Sequence, residues 1–240
     1  MLDDVPGALW PLDMIERARV SPAAIPAMKR VVISIDPAVS VGENSDETGI
    51  IVAGLGEDEL GYVLADGSGK YLPHEWAKKA VSLYRYWCAD RIIAEVNQGG
   101  DLVESTIRAV DTNVSFRRVH AKKGKFVRAE PISALFEQNR VKIAGSFPAL
   151  EDQLCSYDGS GDSPDRLDSM VYALIDLMVA ARVLQFLFAA VDLGSAPPNF
   201  PDSSWAIKKE GKGSPIKMDS INFDFCSSDQ RNIVDTEGEE

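Results

Sequence analysis

The 240-residue chain contains only two histidines, His74 and His120, and three cysteines, Cys88, Cys155 and Cys226. Neither histidine has a second ligand at metal-binding spacing, and no two cysteines form a CxxC pair. These absences exclude a zinc knuckle, and the odd, scattered cysteines argue against a disulfide scaffold and for a reducing cytoplasm. No apolar run reaches the roughly 18–20 residues that span a bilayer. The longest, MVYALIDLMVAARVLQFLFAAV, is broken by Asp176 and Arg182 and reads as a buried helix. The N-terminal residues lack the basic-then-apolar order of a secretion signal, so a cytoplasmic protein without a membrane partner is expected. No GxxxxGK[ST] loop occurs; DGSGKY at 66–71 lacks that spacing and reads as a hairpin turn, and NQGGD at 97–101 is not a dinucleotide fingerprint. Positive charge is also scarce, with 25 Lys and Arg against 37 Asp and Glu, a net charge of −12. That balance argues against nucleic-acid binding by the surface as a whole, though not by one face.

The charge is unevenly spread. Residues 112–129 carry Arg117, Arg118, Lys122, Lys123, Lys125 and Arg128 and no acid, whereas the last dozen residues hold five acids and one arginine. The basic run reads either as a solvated loop or as a strip for phosphates. Residues 1–29, with four prolines and one short helix (LDMIERARV), are expected to be a lead-in or linker. RVVISID, TGIIVAGL and LGYVLAD then follow one another as short strands, the pattern of an antiparallel meander. HEWAKKAVSLYRYW has helical periodicity, RIIAEV and VSFRRVH read as further strands, and helices alternate with them up to a long one starting near Pro164. The order implies an α/β domain over 30–193 with a mixed central sheet and helices on both faces. Residues 194–240, rich in Pro, Ser, Gly and charge, are expected to be a flexible polar tail.

Three acids occupy positions where such a sheet places its chemistry. Asp36 ends the first strand of the meander, Glu95 closes RIIAEV, and Asp168, with Asp165, opens the last helix. Asp36 reads equally as a turn residue before Pro37 and as a site acid. Glu95 reads as functional, because an acid inside an apolar strand is otherwise a buried charge without a partner. Asp165 and Asp168, taken alone, are explained by the helix macrodipole, which favours acids in the first turn. If the strands of Asp36 and Glu95 are neighbours, the two anions face each other, and a cation is what makes that arrangement tolerable. A site of carboxylates alone suits hard ions, Mg²⁺ or Mn²⁺. Two of them about 4 Å apart form the arrangement that cleaves phosphodiesters.

Four blocks in order, VVISIDPA…SDETGIIVAG, WAKKAVSLYRYWCADRIIAEVNQGGDLVE, AKKGKFVRAEP and SPDRLDSMVYAL, resemble the C-terminal nuclease domain of the large terminase subunit of tailed phages, prophages and gene transfer agents. The resemblance runs from residue 8 to about residue 185. It implies a ribonuclease H-like fold and metal-dependent endonucleolytic cutting of concatemeric double-stranded DNA during genome packaging in the bacterial host cytoplasm. By position it makes Asp36, Glu95 and Asp168 the catalytic, metal-binding acids, with Asp165 either a further ligand or a helix cap. It assigns the DNA backbone to Lys122, Lys123, Lys125 and Arg128, and a supporting role to Asp46 and Thr48 in the DETG turn. Many relatives carry two adjacent acids at the last position, where this chain has Asp168 followed by Ser169. The ATPase motor that precedes the nuclease in a complete large terminase has no counterpart motif here. The expected partners are therefore DNA and, beyond it, a terminase ATPase domain, the small subunit and the portal. Two other readings remain: another ribonuclease H-like nuclease of junction-resolvase type, and a non-catalytic packaging module that binds motor or portal.

Overall fold

In a computed structural model, residues 5, 7–37, 47–96, 100–120, 124–160 and 164–179 are described. Asp46, Lys122, Lys123 and the tail expected over 194–240 lie outside the described residues. The fold is built on a meander. Strand β2 (Met28–Asp36) pairs antiparallel with β3 (Gly49–Gly56), and β3 pairs antiparallel with β4 (Gly61–Asp66). Helix α2 (Pro73–Tyr86) returns the chain so that β5 (Arg91–Glu95) lies parallel to β2 on its other side. Helix α3 (Gly100–Val110) then leads to β6 (Phe116–Val119), parallel to β5.

The chain crosses over through α4 (Lys125–Glu137) to β7 (Val141–Ala144), which pairs parallel with β4 at the far side of the meander. Helices α5 (Pro148–Ser156) and α6 (Asp165–Leu174) follow, and a π-helical turn, Ile175–Val179, continues α6. The long helix expected from Pro164 thus widens after Leu174, where the buried carboxylate of Asp176 accepts from Arg30 at 3.2 Å and from Arg117. Residues 180–191 of that expected helix lie outside the described residues.

The period-two alternation of the strands divides the core into two layers. Val32, Ile51, Ala53, Val63 and Ile143 face helix α1 (Leu12–Ala18), α4, α5 and α6, while Ile33, Ile35, Ile50, Val52, Ile92 and Ala94 face α2 and α3. Both faces are covered, which is why the central strands read as continuous apolar runs. The lead-in segment takes part in this packing. Helix α1 (Leu12–Ala18) places Ile15 and Ala18 in the first layer, and β1 (Arg19–Val20) pairs with β7 at the sheet edge. The complete order is β1-β7-β4-β3-β2-β5-β6. Arg19 anchors that edge with two 2.8 Å hydrogen bonds to the carboxylate of Glu151, whose Oε1 also accepts from the Phe147 amide.

Trp10, fully buried, meets Phe136 edge-to-face with ring centroids 6.2 Å apart. Replacing it with alanine should cost about 3–5 kcal/mol of stability in urea unfolding, the usual penalty for removing a buried indole. A loss below about 1 kcal/mol, the level of an ordinary surface substitution, would show that the N-terminal segment is not part of the folding unit.

Candidate active site

The parallel pairing of β2 with β5 runs Ser34 to Ile93 and Ile35 to Ala94, so the next positions in register are Asp36 and Glu95. Both acids therefore stand at the carboxyl ends of adjacent strands. Asp36 shares a strand face with Val32 and Ser34, the face that α6 crosses.

Four residues, Gly49, Gln153, Arg166 and Ser169, fix the start of α6 there. Gly49, the cross-strand partner of Asp36, has no side chain because a Cβ would lie 2.1 Å from the carbonyl oxygen of Asp165. Only glycine lets the helix backbone come this close to the sheet. Pro164 offers no side-chain cap, and the amides of Arg166 and Leu167 donate instead to Oε1 of Gln153 on α5, at 3.1 and 3.2 Å. Arg166 Nε donates to Asp66 at the end of β4 at 3.0 Å, and its Nη1 donates to Glu47. One turn on, Ser169 Oγ donates to the Ser34 carbonyl at 2.9 Å.

This packing brings Asp165 and Asp168 to the two strand-end acids. Burial, and then the charges of Asp168, Glu95 and Asp165 in that order, hold the carboxyl of Asp36 well above its ordinary range; Lys125 partly offsets them. The four acids singled out in the sequence therefore share one electrostatic field. Asp168 is only 2% exposed. Its Oδ1 accepts from Arg128 Nη2 at 3.3 Å, and Lys125 Nζ lies 3.5 Å from its Oδ2. The Arg128 guanidinium sits 4.8 Å from the centroid of the Tyr172 ring, and the Tyr172 hydroxyl donates to Glu95 Oε2. Burial and that hydrogen bond push the phenol far above its ordinary range. Thr48 is fully buried and bridges Gly69 through backbone hydrogen bonds of 2.8 and 3.1 Å, which pins the start of β3.

All the donors are carboxylate oxygens, the ligand type of Mg²⁺ and Mn²⁺, and burial with three nearby acids disfavours the charged form of Asp36. Among the described residues, no three His, Cys, Asp or Glu side chains close to coordinating distance. Like-charged carboxylates do not converge without a counter-charge, and here Arg128, Lys125 and Tyr172 engage two of them. Sequence reasoning missed Tyr172, Gln153 and the Arg166 pairs. The i, i+4 spacing of Asp168 and Tyr172 was a visible signal that both lie on one helix face. The partners of Gln153 and Arg166 come from distant elements and leave no local pattern.

A mixed sheet with a central meander, acids at adjacent strand ends and a helix bringing further acids across the same face defines a ribonuclease H-like domain. The family model of the terminase RNaseH-like domain matches residues 33–177, more than half of the chain, and the chain belongs to that family. No curated protein sequence matches it at comparable strength. Among solved structures, the nuclease domain of the large terminase subunit gp2 of bacterial virus Sf6 is similar, with a TM-score of 0.57, 11% identity, and coverage of 70% of this chain and 98% of that one. A mutant of the same Sf6 domain with manganese and beta-thujaplicinol aligns at a TM-score of 0.53, with 12% identity over 70% of this chain and 98% of that chain. The large terminase nuclease of thermophilic phage G20c with bound zinc aligns at 0.50, with 14% identity over 69% and 96% of the two chains.

The raised Asp36 carboxyl sets a pH dependence whose sign is fixed. The folded chain holds this proton more tightly than the unfolded chain, where the ordinary value is 3.8. The stability that Asp36 contributes therefore falls as pH rises above that value, and levels off once the folded carboxyl has ionised. In metal-free buffer, the unfolding free energy of the wild type relative to Asp36→Asn should decline with rising pH over that window. A difference that is constant with pH would show that neither burial nor the neighbouring acids raise the Asp36 carboxyl.

Proposed function

We propose that this chain is the nuclease domain of a large terminase subunit, which hydrolyses concatemeric double-stranded DNA during phage genome packaging with two divalent cations, Mg²⁺ or Mn²⁺. The observation that carries the reading is the placement of Asp36 and Glu95 at the ends of adjacent parallel strands, with the helix turn that carries Asp165 and Asp168 packed against the same end of the sheet. Asp36, Glu95 and Asp168 would hold the ions, and Asp165 is the further acid within the same field. Bound there, divalent ions supply Lewis-acid polarisation of the phosphodiester and a water of lowered pKa. The manganese and zinc in the related phage nuclease structures support divalent chemistry at a site of this fold.

The protein's own groups prepare the substrate. Lys125, 40% exposed at its side chain, stands at the mouth of the site and can meet a backbone phosphate while it screens Asp168. Arg128 is buried and balances the charge of Asp168 from inside. Lys122 and Lys123 belong to the same basic segment in the sequence and extend the phosphate contacts. Contacts of this kind position a duplex without reading its bases. Asp46 and Thr48, in the turn before β3, have a supporting role. The ATPase motor, the small subunit and the portal are the partners this reading implies. Its place of action is the host cytoplasm, and among the described residues no helix is long and apolar enough to cross a membrane.

Plasmid nicking tests the reading. Mg²⁺ or Mn²⁺ should support cleavage, EDTA should abolish it, and Asp36→Asn should slow it at least about 100-fold, the scale of losing one electrostatic element of a transition-state site. Undiminished cleavage by Asp36→Asn would overturn the mechanism. Preference for a four-way junction over linear duplex would favour a resolvase, and partner binding without cleavage under any metal would favour a packaging module.

A further inference from the structure

We propose that Tyr172 is a positioning residue of the carboxylate site: its hydroxyl fixes the Glu95 carboxylate for a divalent cation, and its ring holds Arg128 in reach of Asp168. The inference rests on the reading of Asp36, Glu95 and Asp168 as cation ligands and adds a residue that this reading does not contain.

Tyr172 lies four residues after Asp168 in α6, one turn further along the same face, and is 4% exposed. Its hydroxyl donates to Glu95 Oε2. Glu95 ends its strand on a long side chain with several rotatable bonds. A hydrogen bond to one of its oxygens arrests that rotation. The donor is neutral, and this separates Tyr172 from the other groups that hold the site acids. Arg128 and Lys125 restrain Asp168 by cancelling its charge, so a divalent ion must compete with them. A phenol restrains Glu95 and leaves in place the negative charge that attracts the ion. Outer partners of this kind orient metal-ligating carboxylates, and their loss typically weakens metal binding about 10–100-fold.

The ring makes a second contribution. Arg128 stacks 4.8 Å from its centroid while Nη2 reaches Asp168 Oδ1 at 3.3 Å. One side chain thus sets the placement of Glu95 on β5 and, through Arg128, of the cation on α4 that balances Asp168. Tyr172→Phe keeps the ring, the stack and nearly all the volume, and removes only the hydroxyl.

The test is Mn²⁺ binding by the full chain without DNA, followed by electron paramagnetic resonance of the free ion, for wild type, Asp36→Asn, Tyr172→Phe, Glu95→Gln and the Glu95→Gln/Tyr172→Phe pair. Tyr172→Phe should raise the Mn²⁺ Kd about 10–100-fold with an unchanged far-UV circular dichroism spectrum. In cleavage, the Mn²⁺ concentration for half-maximal rate should rise in parallel, and saturating Mn²⁺ should restore most of the rate. In the Glu95→Gln background, Tyr172→Phe should add no further loss of Mn²⁺ affinity, because the hydroxyl acts through the Glu95 carboxylate. Wild-type affinity in Tyr172→Phe would overturn the proposal, and so would an additive loss in the double variant or loss of the folded state. If Asp36→Asn binds Mn²⁺ as the wild type does, the reading of the carboxylate site itself fails. If Asp36→Asn loses binding and Tyr172→Phe retains it, only the role of Tyr172 fails.

Discussion

The repulsion among carboxylates at the end of β2 is the constraint on which the rest of the site depends. Asp36 and Glu95 end adjacent strands, and Asp165 and Asp168 open the helix that crosses the sheet beside them. They stay together because α6 is tied to the sheet by contacts that have nothing to do with charge at the centre: Gly49 against the Asp165 carbonyl, Ser169 on Ser34, and Gln153 on the helix amides. Arg166 adds a tie to two acids outside the group, Asp66 and Glu47. The run behind these contacts, from Met170 to Leu174, is buried and anchors the helix on the sheet. Burial first, and then the neighbouring acids, hold the carboxyl of Asp36 above its ordinary range.

On the proposed reading, the counter-charges are what would let an acidic protein accept DNA at such a place. A net charge of −12 disfavours approach over most of the surface. The basic segment is set at the acids, where Lys125 and Arg128 reach Asp168. Arg128 is buried beside Asp168, while Lys125 stands half exposed at it. The neutral phenol of Tyr172 belongs to a different class of support, because it restrains an acid and leaves its charge intact.

Much of this was legible in the sequence. Short β-branched runs separated by loop signals marked the meander, and Asp36 and Glu95 were marked by their place at strand ends; the parallel pairing of β2 and β5 then puts them side by side. Asp168 became a site acid only through the family resemblance, since its first-turn position has a sufficient local explanation. Other features were hidden because they depend on long-range packing. Nothing local to RVKIAG says that β7 crosses the sheet to lie between β4 and β1. Nothing in the proline-rich N-terminus announces that Trp10 and Ile15 complete a core layer. The role of Gly49 is equally invisible until α6 is seen to lie against it.

The central claim is that these carboxylates gather divalent cations for phosphodiester hydrolysis. Anomalous diffraction from crystals soaked in Mn²⁺ tests it most directly. The account predicts anomalous peaks bounded by Asp36, Glu95 and Asp168, with Lys125 and Arg128 displaced from the Asp168 oxygens that the ions take. A protein that cleaves DNA in Mn²⁺ yet shows no peak among these residues, or shows its ions elsewhere, would contradict it.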